Sequence, residues 1–408
     1  METESFSMSM KKAWSVCTFG GGICMNSHNF SPENMRILEL LTSKATGSSS
    51  GQEPQDADYD VPCLSDEIET MILARFPVSE HWKLCVLNKR FLAASKKGEF
   101  YKIRKEIGFK EASVFMLASG ESNWCVFDEN FKCCKKLPII PSDYSFEYGN
   151  KETFSAGTHL FVSGKEIDEA VIWRYELPTN EWFKGPSMNT SRCLFASASC
   201  GIFAFVAGGL ETKTYKEVLN SAERYNSESR SWETLPRMIR KRKCCSGCYM
   251  DNKFYVIGGQ DEQDNDLTCG EFFDEKTNTW NLIPNMVKDI LLSSSRFPLL
   301  FAVADNELYT LDTSSNEVKV YLKKSNSWKK LGTVPIRADA HLGWGVAFKS
   351  LGNKLLVIGA TSLSYSERDL TIYTCFPDPA FEKLPWKQSV CSSTKLNPFI
   401  QNCAVMLA

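Results

Sequence analysis

The chain has 408 residues, a formal charge of −2 at pH 7 and 24% charged residues. This balance gives no overall attraction to nucleic acid or to an anionic membrane, and no stretch is long and apolar enough for a membrane-spanning helix. We therefore expect neither as a partner. The 16 cysteines include the adjacent pairs Cys133–Cys134 and Cys244–Cys245, which fit buried thiols better than a spaced disulfide framework. Free thiols and a start without an apolar leader predict a protein of the cytoplasm or nucleus.

Residues 1–60 are predicted to form a flexible N-terminal arm, because they show no sustained hydrophobic periodicity. Residues 46–60 are small, polar and acidic, so they bury too little apolar surface to offset the entropy of ordering. The glycines at 20–22 lack the Lys-Ser/Thr pair of a phosphate-binding loop and belong to this arm.

Residues 61–108 predict a small domain of three helices. Ser65 can cap a helix that opens with Asp66 and Glu67, both favourable near a helix N-terminus, and Pro77 ends it. Helical spacing predicts a second helix over residues 79–95 and a third over residues 97–106. About 45 residues make too small a core to be robust alone. We therefore expect this domain to rest on the remainder of the chain or on another protein.

Residues 111–408 change character to short strands separated by Gly, Pro and Asn-Ser turns. One register recurs, in which an aromatic residue is followed seven positions later by Trp. It occurs at Tyr175 and Trp182, Tyr225 and Trp232, Phe273 and Trp280, and Tyr321 and Trp328. The Trp residues are 50, 48 and 48 positions apart. In two units an apolar run ends in diglycine, Gly208-Gly209 and Gly258-Gly259, where the backbone adopts a conformation that other residues resist.

Two weaker copies extend the array, with Phe127 before Cys134 and Tyr373 before Phe381, so the register occurs six times. A period near 50 with diglycine, Tyr and Trp in this order resembles the kelch repeat. The resemblance implies four-stranded blades, and hence a mainly β, six-bladed propeller over residues 111–408. Its diglycine would follow strand b, its Tyr would lie in strand c and its Trp in strand d.

The first unit has no sequence for its strand a, because the predicted helices run up to about residue 108. Residues 401–408 form a lone apolar stretch after the sixth unit. A propeller that closes removes its free sheet edges. We therefore predict that this C-terminal strand completes blade one.

The helical domain, residues 61–108, resembles an F-box. The resemblance rests on a Leu-x-Asp start at Leu64, the pair Ile72-Leu73, Phe76-Pro77, and the later run Asn88 to Phe91. It implies docking onto a Skp-family adaptor and, through it, a cullin. The residues placed in or near that contact are Pro62, Leu64, Ile68, Ile72, Leu73, Phe76, Pro77, Leu84 and Val86. The alternative is that these apolar residues pack the helical domain itself or rest on the propeller.

Many F-boxes carry Trp where this chain has Phe91, and the run Asn88 to Phe91 is similar instead to the plant F-box–kelch proteins. An adaptor-binding module followed by a binding propeller implies the non-catalytic substrate receptor of an SCF-type ubiquitin ligase. Its propeller would hold a protein substrate whose identity is not readable from the sequence. The alternative is a kelch scaffold or ligand-sensing protein that acts outside a ubiquitin ligase.

Blade topology indicates where such a partner would bind, because the b–c loops and the inter-blade d–a loops lie at one end of a propeller. That end combines acidic loops with a cationic group. Its candidate residues are Arg192, Arg240, Lys241, Arg242, Lys243, Arg337, Asp261 and Asp264. Arg192 and Arg242 each follow a repeat Met by four residues, so the alternative for these two is a structural role in the repeat.

Catalysis, a metal and a cofactor are not expected. The chain has only four His, of which His28 and His81 lie outside the propeller, so a metal centre or a Ser-His-Asp site has little support. Cys244, Cys245 and Cys248 are expected to be buried thiols. Residues 240–243 resemble a nuclear-import cluster, but they lie inside a folded repeat, which favours a solvated loop.

Overall fold

The structure is a computed structural model, and it describes residues 65–81, 83–84, 89–213, 217–290, 298–336, 345–360, 370–381, 383–389 and 396–408. One compact unit spans residues 65–408. The predicted N-terminal arm, residues 1–60, lies outside the described residues.

The helical module consists of α1 (Asp66–Leu73), a 3-10 turn (Val78–Glu80), α2 (Lys89–Lys96) and α3 (Glu99–Glu106). The Ser65 side chain caps α1, because its Oγ accepts a hydrogen bond from the Ile68 backbone N–H at 3.4 Å. The sequence predicted this cap. The described part of the predicted second helix comprises the 3-10 turn at its beginning and α2 at its end.

The buried Arg104 side chain joins the helical module to the first strand. Its guanidinium donates to the carbonyls of Ala74 and Phe76, at 3.2 and 2.8 Å, and to Glu111 Oε2 at 2.9 Å. The same carboxylate oxygen accepts the Val78 backbone N–H at 2.9 Å. Glu111 immediately precedes strand β1, so these bonds fix the helices at one end of that strand.

The remainder is a ring of six four-stranded antiparallel sheets, the blades. Strands are lettered a to d outward from the ring axis. Blade one comprises β26 (Ile400–Leu407), β1 (Ala112–Ala118), β2 (Cys125–Asp128) and β3 (Cys134–Lys136). Blade two comprises β4 (Glu152–Ala156), β5 (His159–Lys165), β6 (Ala170–Glu176) and β7 (Glu181–Lys184). Blade three comprises β9 (Ala196–Cys200), β10 (Phe203–Ala207), β12 (Ala222–Asn226) and β13 (Ser231–Leu235).

Blade four comprises β14 (Ser246–Met250), β15 (Lys253–Ile257), β16 (Gly270–Asp274) and β17 (Thr279–Ile283). Blade five comprises β18 (Leu300–Ala304), β19 (Glu307–Asp312), β20 (Glu317–Leu322) and β21 (Ser327–Thr333). Blade six comprises β22 (Ala347–Leu351), β23 (Lys354–Ala360), β24 (Leu370–Cys375) and β25 (Lys387–Ser389). Outside the blades lie the short pair β8 (Arg192–Cys193) and β11 (Leu210–Glu211), and the helix α4 (Tyr144–Tyr148) between blades one and two.

The C-terminal strand closes the ring, as the sequence predicted. Strand β26 pairs antiparallel with β1 along all of Ala112–Ala118, and Glu111 and Ala408 exchange backbone hydrogen bonds at 2.9 and 3.0 Å. The a strands of neighbouring blades contact one another in an unbroken circle. Because β26 supplies strand a, strand β1 of blade one is paired on both sides and leaves no free sheet edge.

The repeated aromatic residues join each blade to the one before it. In blades two to five the c-strand aromatic lies directly opposite the d-strand Trp, with ring centroids 5.1 to 5.5 Å apart. The indole N–H then donates to a backbone carbonyl that follows the previous blade. These bonds run from Trp182 to Pro138, Trp232 to Pro186, Trp280 to Pro236 and Trp328 to Met286, at 2.8 to 2.9 Å.

The predicted register is correct for five units and wrong for the sixth. Cys134 lies opposite Phe127 as predicted, but the residue opposite Tyr373 is Gln388 rather than Phe381. Phe381 lies exposed in the turn between β24 and β25. The reason is a longer c–d connection in blade six, which displaces the d strand along the sequence.

Candidate partner-binding surfaces

The two ends of the propeller present different groups. The loop end carries the b–c loops and the d–a connections. The helix end carries the a–b and c–d connections, and the helical module joins the ring there, since Glu111 pairs with Ala408 at the end of strand a. An ion pair between Lys105 on α3 and Glu228 in the c–d turn of blade three makes a second link at this end.

Arg192 and Arg242, predicted as partner contacts, are instead buried structural residues. The Arg242 guanidinium donates to the carbonyls of Gly258 and Cys269, at 2.8 and 3.2 Å, and pairs with Glu271 at 2.5 Å. Both side chains of that pair are inaccessible to solvent. Arg192 repeats the arrangement in blade three with Gly208, Ser221 and Glu223.

These arginine–glutamate pairs hold the d–a connections against the blades. The Glu271 carboxylate also accepts the backbone N–H groups of Ile239 and Arg240, at 2.7 and 3.0 Å. The first glycine of each diglycine, Gly208 or Gly258, supplies a backbone carbonyl that accepts a hydrogen bond from the arginine. The second glycine lets the chain pass close to the d–a connection. At Gly259 an added Cβ would lie 2.5 Å from the Lys243 carbonyl oxygen, and φ is +87°. Because both guanidinium groups are buried without solvent contact, neither is accessible to a partner.

The remaining charged residues of blade four largely neutralise one another. Lys241 pairs with Glu262 at 2.8 Å, and Lys243 pairs with Asp264 at 2.5 Å. The Asp261 carboxylate accepts bonds from Asn265 and Gln263 within its own loop, which hold the pKa of Asp261 below its usual value.

Arg240 and Arg337 complete the predicted cationic group. Arg240 is exposed, and no carboxylate among the described residues pairs with its guanidinium. Arg337 lies outside the described residues. Among the described residues of the loop end, Arg240 is therefore the predicted cation whose charge is both exposed and unpaired.

The sequence did not predict the surface around α4, which lies in the d–a connection between blades one and two. Asp143 caps this helix, accepting the Phe146 N–H at 2.9 Å, and its other oxygen accepts the Ile167 N–H from the b–c loop of blade two at 2.7 Å. Ser122, in the b–c loop of blade one, donates to Glu147 at 2.8 Å. The helix is thus bound to loops on both sides.

Phe146 is the buried anchor of α4, and its ring lies so close to Gly164 that a Cβ there would come within 2.7 Å of it. The flanking Tyr144 and Tyr148 face solvent, 72% and 70% exposed, with ring centroids 4.6 Å apart. Ile139 and Ile167 are also exposed. A signal was present in the sequence: an Asx cap followed by two Tyr that flank a Phe, outside the repeat register.

The helical module buries part of the predicted adaptor contact. Leu73, Phe76 and Leu84 are at most 4% exposed and form its core, which matches the alternative that these side chains pack the helical domain itself. Their burial follows from the small size of the module, which needs these side chains to pack its own helices.

The other predicted contact residues divide into three groups. Ile68 is 48% exposed on α1, beside the exposed Met71. Ile72 and Pro77 are half-buried. Pro62, Leu64 and Val86 lie outside the described residues.

Burial shifts the pKa of the two described histidines and of two thiols in blade four. It lowers the pKa of both His81 and His159 to about 4, so both are neutral near pH 7. It raises the pKa of the Cys245 and Cys248 thiols to about 11 and 12. Within the described ranges, no cluster of three or more His, Cys, Asp or Glu could hold a metal ion, and no helix is long and apolar enough to cross a membrane.

Six closed blades with diglycine, Tyr and Trp at repeated positions define a kelch-type propeller, and a family model for the Kelch motif matches residues 241–287. F-box/kelch-repeat protein At3g27150 of Arabidopsis thaliana is 52% identical over 369 residues, covering 88% of this chain and 87% of the relative. Two other Arabidopsis thaliana proteins match over most of the chain. At1g26930 is 33% identical over 96% of this chain and 94% of its own length, and SKIP11 is 37% identical over 82% and 72%. The chain belongs to the F-box/kelch-repeat protein family.

Proposed function

We propose that the chain is the non-catalytic substrate-recognition subunit of a Skp–cullin–F-box ubiquitin ligase, acting in the cytoplasm or nucleus. The helical module binds a Skp-family adaptor, and the loop end of the propeller holds the protein to be ubiquitinated. Other subunits carry out the transfer of ubiquitin.

The separation of two surfaces supports this proposal most strongly. Ile68 and Met71 are exposed apolar side chains on α1, in the module attached at the helix end. Exposed apolar side chains on a small helical module are typical of a docking surface. The loops that would hold a target lie at the opposite end of the blades, so the two partners do not compete for space.

Co-purification of the full chain with a Skp-family adaptor tests the proposal. Ile68→Asp places a charge on the exposed face of α1 and should reduce adaptor binding at least tenfold, because a desolvated charge at an apolar interface is costly. Ile239→Asp is the matched control, since Ile239 is 55% exposed but lies at the loop end. It should bind the adaptor normally.

Two results would count against the ligase role. One is a wild-type chain that binds no Skp-family adaptor although it is folded, which favours a scaffold or sensor outside a ligase. The other is equal loss of binding in Ile68→Asp and Ile239→Asp, which would show that the effect does not come from α1.

A further inference from the structure

We infer that the surface around α4 is the target-binding site and that it recognises a protein segment in which arginine or lysine adjoins an apolar side chain. The α4 patch is defined as Ile139, Tyr144, Tyr148 and Ile167. The inference rests on the proposed function, since it names the class of target that the propeller takes.

The backbone beneath the α4 patch is held by hydrogen bonds while its side chains are exposed, and both properties favour recognition. Its two tyrosine rings lie against each other on the exposed face of α4, away from the buried anchor Phe146. The Asp143 carboxylate accepts a hydrogen bond from the Ile167 backbone N–H. No described residue hydrogen-bonds to either phenol. Tyr is enriched at protein interfaces because a large ring covers much area with few rotatable bonds. Because the helix that carries the two tyrosines is already held, only their few rotatable bonds lose entropy when a partner binds.

The charge around the α4 patch decides the kind of partner. Carboxylates outnumber lysines in the loops that frame it, residues 119–124, 137–151 and 166–169. The carboxylates are Glu121, Asp143, Glu147, Glu166, Asp168 and Glu169, and the lysine is Lys151. Lysines at neighbouring strand ends offset part of this charge, as Lys136 pairs with Glu121 at 3.0 Å and Lys184 with Glu166 at 3.1 Å.

Two carboxylates beside the patch lie outside these ion pairs, although the Lys151 ammonium, which donates to the Glu147 and Gly149 backbone carbonyls at 2.8 and 2.9 Å, lies near Glu147. Glu147 and Asp168 have no ion-pair partner among the described residues, and both residues are exposed. Glu147 lies between Tyr144 and Tyr148 in the sequence, and Asp168 follows Ile167. A ring face attracts a cation through its quadrupole, and a nearby carboxylate adds to that attraction. An arginine or lysine side chain fits this combination, and the two isoleucines suit an apolar neighbour.

An array of immobilised degenerate peptides, incubated with the purified full chain, tests the inference. Each spot fixes Arg, Lys, Gln, Glu or phosphotyrosine at the centre of an otherwise random peptide. We expect Arg and Lys spots to retain the chain about tenfold better than Gln or Glu spots, with apolar residues selected beside the centre. Equal retention on all spots, retention on none, or a preference for Glu or phosphotyrosine would overturn the inference.

Variants then locate the binding site for the selected peptide. Tyr144→Ser with Tyr148→Ser should weaken its binding at least tenfold, whereas Tyr144→Phe with Tyr148→Phe should keep it within about twofold, because the rings remain. Glu147→Gln with Asp168→Asn should weaken binding severalfold and reduce its dependence on salt. These side chains are exposed, so thermal unfolding should not change. Binding that is unaffected by the serine pair would place the site elsewhere.

Adaptor binding by the same samples separates the two proposals. A chain that binds the adaptor but selects no cationic peptide contradicts the α4 patch and leaves the ligase role standing. A chain that selects the peptide through Tyr144 and Tyr148 but binds no adaptor supports the patch and contradicts the ligase role.

Discussion

Replacing Glu271 by Ala should destabilise the propeller strongly, although the residue touches no partner. The Arg242 guanidinium, fully buried, would lose its only carboxylate among the described residues. Breaking a buried ion pair from one side costs about 3–5 kcal/mol, because an uncompensated charge remains inside. Two backbone N–H groups, of Ile239 and Arg240, would also lose their acceptor.

We therefore expect Glu271→Ala to lose about 4 kcal/mol or more, or roughly 5–10 °C in thermal unfolding followed by circular dichroism. Glu271→Gln should fall between this variant and the wild type, because an amide oxygen can still accept a hydrogen bond.

Glu262→Ala is the matched control, since it removes the half-exposed pair with Lys241 in the same blade. Such surface pairs contribute about 0–1 kcal/mol. Equal melting temperatures for Glu271→Ala and Glu262→Ala would refute the view that the buried pair fixes the d–a connection.

Two further predictions concern the ring itself. Deleting residues 402–408 removes all but the first two residues of β26, including the buried Met406, and should lower the melting temperature by more than about 10 °C. An unchanged melting temperature would contradict closure by this strand. The Oε1 of Glu152 accepts the Leu194 N–H at 2.6 Å, and desolvation raises the pKa of this carboxyl from its usual 4.5 to about 7. The folded state therefore holds a proton that the unfolded state releases near pH 4.5. Wild-type stability relative to Glu152→Gln should thus fall as pH rises between these two values, and the substitution should raise the melting temperature at pH 8 more than at pH 5. An equal effect at both pH values would show that Glu152 does not titrate in this window.

The sequence predicted the blades because their period reflects a physical contact. Each Trp must reach a carbonyl of the preceding blade, so the aromatic–Trp spacing stays fixed in blades two to five. Blade six has no Trp in this register, so nothing fixes its aromatic-to-d-strand spacing. Phe381 was misplaced because the longer c–d connection of that blade moves its d strand to Gln388.

Burial was harder to predict than topology. Arg192 and Arg242 look like surface cations in the sequence. The structure shows that they are buried because they pair with Glu223 and Glu271, which lie two positions before the repeat aromatic. Tyr144 and Tyr148 were missed for the opposite reason, since α4 lies outside the repeat and no periodic signal marks it.

In the proposed ligase role, α1 attaches this propeller to a Skp-family adaptor while the loop end stays free for a target. The molar mass of the purified full chain mixed with the adaptor, measured by light scattering after gel filtration, tests it most directly. We predict a one-to-one complex for the wild type and for the Tyr144→Ser, Tyr148→Ser pair, and free components for Ile68→Asp. Free components for the folded wild type, or a complex that Ile68→Asp leaves intact and the tyrosine pair disrupts, would contradict the claim.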